Sequence, residues 1–170
     1  MTQKFWNDKN NKQFKEAYFN KYSNVWHHGD YAEIKKNGGF IIYGRSDTTL
    51  NPGGVRLGTA EIYSEVEKFV EIKESVVVGQ SWDNDIRIIL FVVLNSNSEL
   101  TEELINTIKK QIKINASLRH VPSKIIAVTD IPRTKNGKIV ELAVKNVIEG
   151  NDIKNKEALA NPEVLDQYKG

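Results

Sequence analysis

The chain contains no cysteine. Disulfides, thiolate metal centres and cysteine nucleophiles are thereby excluded, and such a composition suits a reducing cytoplasm. Long apolar runs are missing too: the longest, 88–94, falls far short of the roughly 20 residues needed to span a bilayer. The opening residues, Met1-Thr2-Gln3-Lys4-Phe5-Trp6-Asn7-Asp8, carry no apolar stretch behind their early lysine, so neither a secretory leader nor a membrane segment is expected. In a chain read as not secreted, Asn115-Ala116-Ser117 matches a glycosylation acceptor only by coincidence. An excess of one charge is also lacking: 24 Lys and Arg stand against 22 Asp and Glu. Such a balance supplies no broad field for nucleic acid or an anionic membrane, so any basic chemistry must be local. Internal repeats and low-complexity tracts are absent as well.

What is there suits one packed domain plus an extension, since 170 residues at 39% hydrophobic can bury a core of that size. Residues 1–39 show no sustained period of 2 or 3.6, yet contain Trp6, Phe14, Tyr18, Phe19, Tyr22 and Trp26. These aromatics are expected either to pack on a partner surface or to cover the domain's own core. From Gly39 the punctuation becomes regular. Residues 40–43 read as a strand bounded by Gly38, Gly39 and Gly44, and 45–58 as a loop or hairpin around Asn51-Pro52-Gly53-Gly54. Thr59 opens a helix whose apolar positions are Ile62, Val66, Phe69 and Val70. Runs 75–79 and 86–94 read as buried strands around a polar turn at 81–85. Thr101-Glu102-Glu103 starts a second helix with acids at its positive end and a stripe of Leu104, Ile105, Ile108 and Ile112. A strand at 124–128 and an amphipathic helix at 139–148, stopped by Gly150, complete an α+β domain, one small sheet covered by helices.

Three polar clusters stand apart from this scaffold: His28-Gly29-Asp30, the stretch 44–56, and Pro132-Arg133-Thr134-Lys135-Asn136-Gly137-Lys138. Gly137-Lys138 is not the end of a phosphate-binding P-loop, which needs glycine at 132 and Ser or Thr at 139, where this chain has Pro132 and Ile139. Neighbouring His27 and His28 point opposite ways in an extended segment and have no third ligand nearby, so no metal is assigned. Arg133 and Lys135 are read as solvated charges.

In order and spacing, Gly29-Asp30, Gly44-Arg45-Ser46-Asp47, Gly54-Val55-Arg56-Leu57-Gly58-Thr59-Ala60-Glu61-Ile62 and Pro132-Arg133-Thr134 through Gly137-Lys138 resemble the adenylate-forming superfamily of acyl-CoA synthetases. Phe5-Trp6-Asn7-Asp8, Arg119-His120-Val121-Pro122 and Ala160-Asn161-Pro162-Glu163 are similar to its acetoacetate-activating branch. Thr48 after the hinge position and His27-His28 before Gly29-Asp30 depart from the common pattern in the direction of that branch.

The resemblance implies a fold, a small mixed β-sheet covered by helices that forms the C-terminal lid of such enzymes. It divides the chain into the tail end of a large N-terminal adenylation domain (1–46), the lid (47–150) and a C-terminal tail (151–170). The implied reaction joins acetoacetate to coenzyme A at the expense of ATP, through an acyl-adenylate, with Mg2+ accompanying ATP in the complete enzyme. By the same resemblance, Lys138 is the adenylation lysine and Asp47 the hinge. Asp30, Arg45 and Arg56 contact ATP or AMP, and Gly54 and Arg119 contact coenzyme A. The family's phosphate loop, adenine pocket and acyl pocket have no counterpart in these residues. The chain is therefore expected to bind no cofactor and to be inactive without the large domain. A stand-alone binding or regulatory module and an inactive remnant are the alternatives.

Overall fold

A computed structural model describes residues 3–153 and 155–169. The chain divides into two compact units at Asp30/Tyr31.

In the first unit, helix α1 (Lys12–Phe19) is preceded by Asp8, whose carboxylate accepts hydrogen bonds from the amides of Gln13 and Phe14 at 3.0 and 2.9 Å. An acid at a helix start satisfies donors that have no partner within the helix. Phe14 packs edge-on against Phe5, Tyr18 and Trp26, and Tyr18 stacks on Trp26 at 3.9 Å between ring centres. These rings therefore pack chiefly on one another, while Trp6 is 99% exposed. The helix escapes a sequence reading because its eight residues are shorter than the window over which a 3.6 period becomes visible.

β1 (Asp30–Ile34), all but its first residue in the second unit, and β2 (Phe40–Arg45) form a two-stranded ribbon, of which only β2 is legible in the sequence. Tyr43 donates to Glu33 at 2.6 Å across it. That bond holds the Glu33 carboxyl below its usual range and pushes the Tyr43 phenol up to about 12.

The core is a mixed sheet, ordered β3-β4-β5, of β3 (Ile72–Trp82), β4 (Asp85–Leu94) and β5 (Lys124–Ala127). The first pair is antiparallel and the second parallel. Asp83 and Asn84, at φ 50° and 59°, make the two-residue turn between β3 and β4 in the left-handed backbone such hairpins require. The apolar run of β4 is continuous because both its faces are covered. Ile88, Leu90 and Val92 face helices α2 (Ala60–Val66) and α3 (Glu102–Asn115); Ile89, Phe91 and Val93 face α4 (Glu141–Ile148) and the turn Pro162–Tyr168. Thr101 caps α3 by accepting from the Leu104 amide at 3.2 Å.

A bulge at Lys73 changes the phase of β3, since Ile72 pairs with Leu94 but Glu74 with Val93. Ile72 and Val77 consequently share the α2–α3 face despite an odd spacing, and Val76 and Val78 face α4. Glu74, two residues before Val76, lies on the α4 side.

Helix α2 is shorter than its apolar pattern implies. It ends at Val66, and tightening turns follow in which the amides of Lys68 and Phe69 reach the carbonyls of Glu65 and Val66. Phe69 still packs on the core, but Val70 is 83% exposed and lends its carbonyl to the Asn95 side chain. Helix α4 likewise starts at Glu141, because Ile139 pairs with Arg133.

Glu65 on α2 is buried and accepts from Lys68 Nζ, Asn115 Nδ2 and Gln111 Nε2 at 2.7, 2.8 and 3.2 Å. The Lys68 bond, with the amides of α3, holds its carboxyl below the usual range. Glu65→Ala strips acceptors from part-buried donors and is expected to lower the unfolding free energy by about 1–3 kcal/mol at pH 7. A group with a lowered folded pKa stabilises above its unfolded pKa and loses that effect as pH falls through the folded one. The difference in urea midpoint between the two proteins should therefore be larger at pH 7 than at acidic pH, shrinking as pH falls through the folded pKa of Glu65.

Among the described residues, no helix is long and apolar enough to cross a membrane.

Candidate functional site

The segment after β5 carries Lys138 on a tight turn. Arg133 pairs with Ile139 at its stem, the Thr134 amide donates to the Lys138 carbonyl at 2.8 Å, and the Gly137 amide to the Thr134 carbonyl at 2.8 Å. Gly137 adopts φ +79°, a conformation that side chains disfavour. Thr134 Oγ1 accepts from the Lys138 amide at 3.2 Å, and the Lys138 side chain is exposed. A short turn of this kind holds Lys138 on a defined backbone, with exposed Lys135 on the same turn.

Arg133 is not the solvated charge its sequence context suggests. Its guanidinium reaches Glu74 at 2.7 Å and the Gly137 carbonyl at 3.0 Å. Both side chains are only about a quarter to a third exposed. Beside them lies a cleft of about 450 Å³ whose lining includes Tyr63, Glu74, Arg133, Ile139 and Glu141. Tyr63 donates to Glu141 at 2.6 Å and accepts from the Val77 amide at 3.1 Å, and burial pushes its phenol well up.

The glycine loop is built differently. Leu50 and Leu57 exchange backbone hydrogen bonds of 3.0 and 2.8 Å, closing a loop around Pro52–Gly54. Gly54 sits at φ +75°, and a side chain there would meet nothing within 4 Å, so backbone conformation alone accounts for its glycine within this chain. The Gly53 amide donates to both carboxylate oxygens of Asp85, at 2.8 and 3.0 Å, tying the loop to the β3–β4 turn. Hydrogen bonds from the Ile86 and Gly53 amides hold Asp85 below the usual carboxylate range. Arg56, on the same loop, places its guanidinium 5.6 Å from the centre of the Tyr31 ring.

Arg45 and Asp47 form an exposed ion pair at 3.4 Å, and the Arg45 carbonyl accepts from the Thr48 amide and the Thr49 hydroxyl. Asp30 lies in the first unit, where His28 Nδ1 hydrogen-bonds its carboxylate. Arg119 is exposed in the turn Leu118–His120. The turn is anchored by buried His120, whose ring nitrogens meet Ser117 Oγ at 2.8 Å and Glu61 at 3.0 Å. Glu74 and Asp85 escape the sequence reading because each acts on a residue remote in the chain, and His120, read there only as part of a motif, meets the remote Glu61 as well as Ser117. Among the described residues, no group of three His, Cys, Asp or Glu side chains forms a metal site.

Residues 61–138 match the AMP-binding enzyme C-terminal domain family. The chain is 58% identical over 166 residues to the acetoacetyl-coenzyme A synthetase of Rhizobium meliloti (strain 1021), covering 98% of the chain and 26% of that protein. It is 48% identical to the acetoacetyl-CoA synthetase of Gallus gallus, over 96% of the chain and 25% of the relative. The solved acetoacetyl-CoA synthetase from Streptomyces lividans superposes with a TM-score of 0.89 at 38% identity, over 98% of the chain and 25% of that structure. The chain thus spans about a quarter of the length of the relatives it matches.

Proposed function

Because this chain is homologous to the C-terminal part of the acetoacetyl-CoA synthetases, within the adenylate-forming enzymes, we propose that it is the lysine-bearing lid of an acetoacetate-CoA ligase. The complete reaction has two halves. Acetoacetate attacks the α-phosphate of Mg–ATP, releasing pyrophosphate and leaving an acetoacetyl-adenylate; the thiol of coenzyme A then displaces AMP. In the first half, Lys138 supplies a fixed cation to the carboxylate and α-phosphate oxygens as charge moves onto pyrophosphate. Asp30 accepts from the ribose hydroxyls, a task suited to a carboxylate, and Arg45 lies beside the same sugar. Arg56 offers its planar fork to phosphate oxygens. In the second half, Gly54 borders the pantetheine chain and Arg119 takes a phosphate of coenzyme A. Asp47 is the pivot between the two, so residues 1–46 belong with a large adenylation domain, 47–150 are the lid and 151–170 its tail. The substrates and the cysteine-free composition fit a cytoplasmic enzyme.

One observation carries the two-pose reading. The lysine turn is braced on Glu74, near the start of β3, and the glycine loop on Asp85, past its end. Eight steps of strand from Glu74 to Trp82, at roughly 3.3 Å each, separate the two by about 26 Å. Two groups that far apart on one packed sheet serve one reacting centre only by turns, which supports a domain that presents first one end and then the other.

Acetoacetate-dependent ATP–pyrophosphate exchange tests the proposal. The purified chain alone is expected to give none, because a cation without the phosphate cradle and acyl pocket has nothing positioned to act on. Mixing with the N-terminal domain of a matching synthetase should restore exchange. Exchange by the chain alone would refute the lid reading, and a mixture that stays silent would favour a stand-alone module or an inactive remnant.

A further inference from the structure

We propose that Arg133, clamped by Glu74 and Asn161, is the positioning residue that fixes the Lys138 turn; the inference rests on the adenylation role given to Lys138 above. The turn's own hydrogen bonds close it on itself, and its Thr134–Lys135 side is tied to the C-terminal tail, where the Lys135 amide donates to the Ala158 carbonyl at 3.3 Å and Thr134 pairs with Leu159. The Arg133 side chain holds the other side, which carries Gly137 and Lys138. One guanidinium nitrogen donates to the carbonyl of Gly137, the residue immediately before Lys138, at 3.0 Å, and another reaches Glu74 on β3 at 2.7 Å. The Arg133 amide donates to Asn161 Oδ1 at 2.9 Å, and its carbonyl accepts from the Ala160 amide at 2.8 Å. Asn161 is itself pinned, donating to Asp130 at 2.7 Å and to the Ile131 carbonyl at 3.0 Å.

Two features make this a built arrangement. The bulge at Lys73 sets the phase that puts Glu74 on the α4 side of the sheet. The residue type also matters: a guanidinium sends two separate donors to two acceptors, whereas an ammonium is a single point charge that cannot hold the same planar geometry. A charge that stabilises a transition state must be held within about 0.5 Å of its productive position, so the brace acts on rate through Lys138.

The test compares Arg133→Ala, Arg133→Lys and Lys138→Ala. In this chain, Arg133→Ala should speed amide exchange of Gly137 and Lys138 by about 10-fold or more, with the β3 and β4 amides unchanged as the control for folding. In the enzyme assembled with an N-terminal adenylation domain, it should slow acyl-adenylate formation by about 10-fold, leave KM for ATP nearly constant, and spare thioester formation from preformed adenylate. Arg133→Lys should recover only part of either loss. Unchanged exchange at Gly137 and Lys138 overturns the brace. A loosened turn with full adenylation, where Lys138→Ala does slow it, overturns the positioning role alone. Lys138→Ala without effect on adenylation removes the reading beneath both.

Discussion

Lys138→Ala is expected to slow acyl-adenylate formation by on the order of 10²-fold or more, the usual scale for losing one preorganised charge donor. The side chain is exposed and lies where the turn closes, so its removal should leave stability within about 0.5 kcal/mol of the parent. A fall in rate would then report on the reaction. Thioester formation from preformed acyl-adenylate should be little affected, because the proposed second pose brings the glycine end of the β3–β4 hairpin to the substrate in place of Lys138. Single-turnover measurements of each half-reaction separate the two, and equal damage to both would assign Lys138 a structural role.

Asp47→Pro is expected to suppress one half-reaction far more strongly than the other. Proline fixes φ near −65° and restrains the preceding residue as well, so a pivot at this position is held in one of its poses. Asp47→Ala removes the same ion pair with Arg45 but keeps the backbone free. Exposed pairs of this kind contribute about 0–1 kcal/mol, so loss of the pair cannot account for a large difference between the variants. The half-reactions should diverge in the proline variant and stay within a few-fold of the parent in the alanine variant. Similar impairment by both, in both half-reactions, would show that the carboxylate matters and that the swing does not run through Asp47.

Much of the second unit is legible in the sequence because burial imposes period on it. The stripe Ile108 and Ile112 on α3 and the continuous run 88–94 follow from one face or both being dry, while Gly150 after α4 takes the left-handed φ of 71° that ends a helix. The bulge at Lys73 is not legible, since it falls among polar residues where neither phase is favoured until the partner strand is present. Nor is the packing of the last residues: Leu159, Leu165 and Tyr168 are buried from short turns too brief to show a period. The motif spacing points to Lys138, Asp47 and the glycine loop, while their supports come from far along the chain. Arg133 reads as solvated because Glu74 and Asn161 are invisible from its neighbourhood, and the tie from Gly53 to Asp85 exists only once the hairpin has formed.

The mixed sheet also fixes an order of assembly. β3 and β4 are joined by two residues, so their pairing costs little loop entropy and can form within microseconds. β5 pairs parallel to β4 only after residues 95–123 have crossed over the sheet, α3 included. Closing that longer excursion comes later and slows folding. The segment bearing Lys138 follows β5 in the chain and packs against β3, so its geometry is among the last to be set. The β3–β4 hairpin can thus hold Glu74 and Asp85 in place, one at its open end and one at its turn, well before the segment bearing Lys138 arrives to be braced on it.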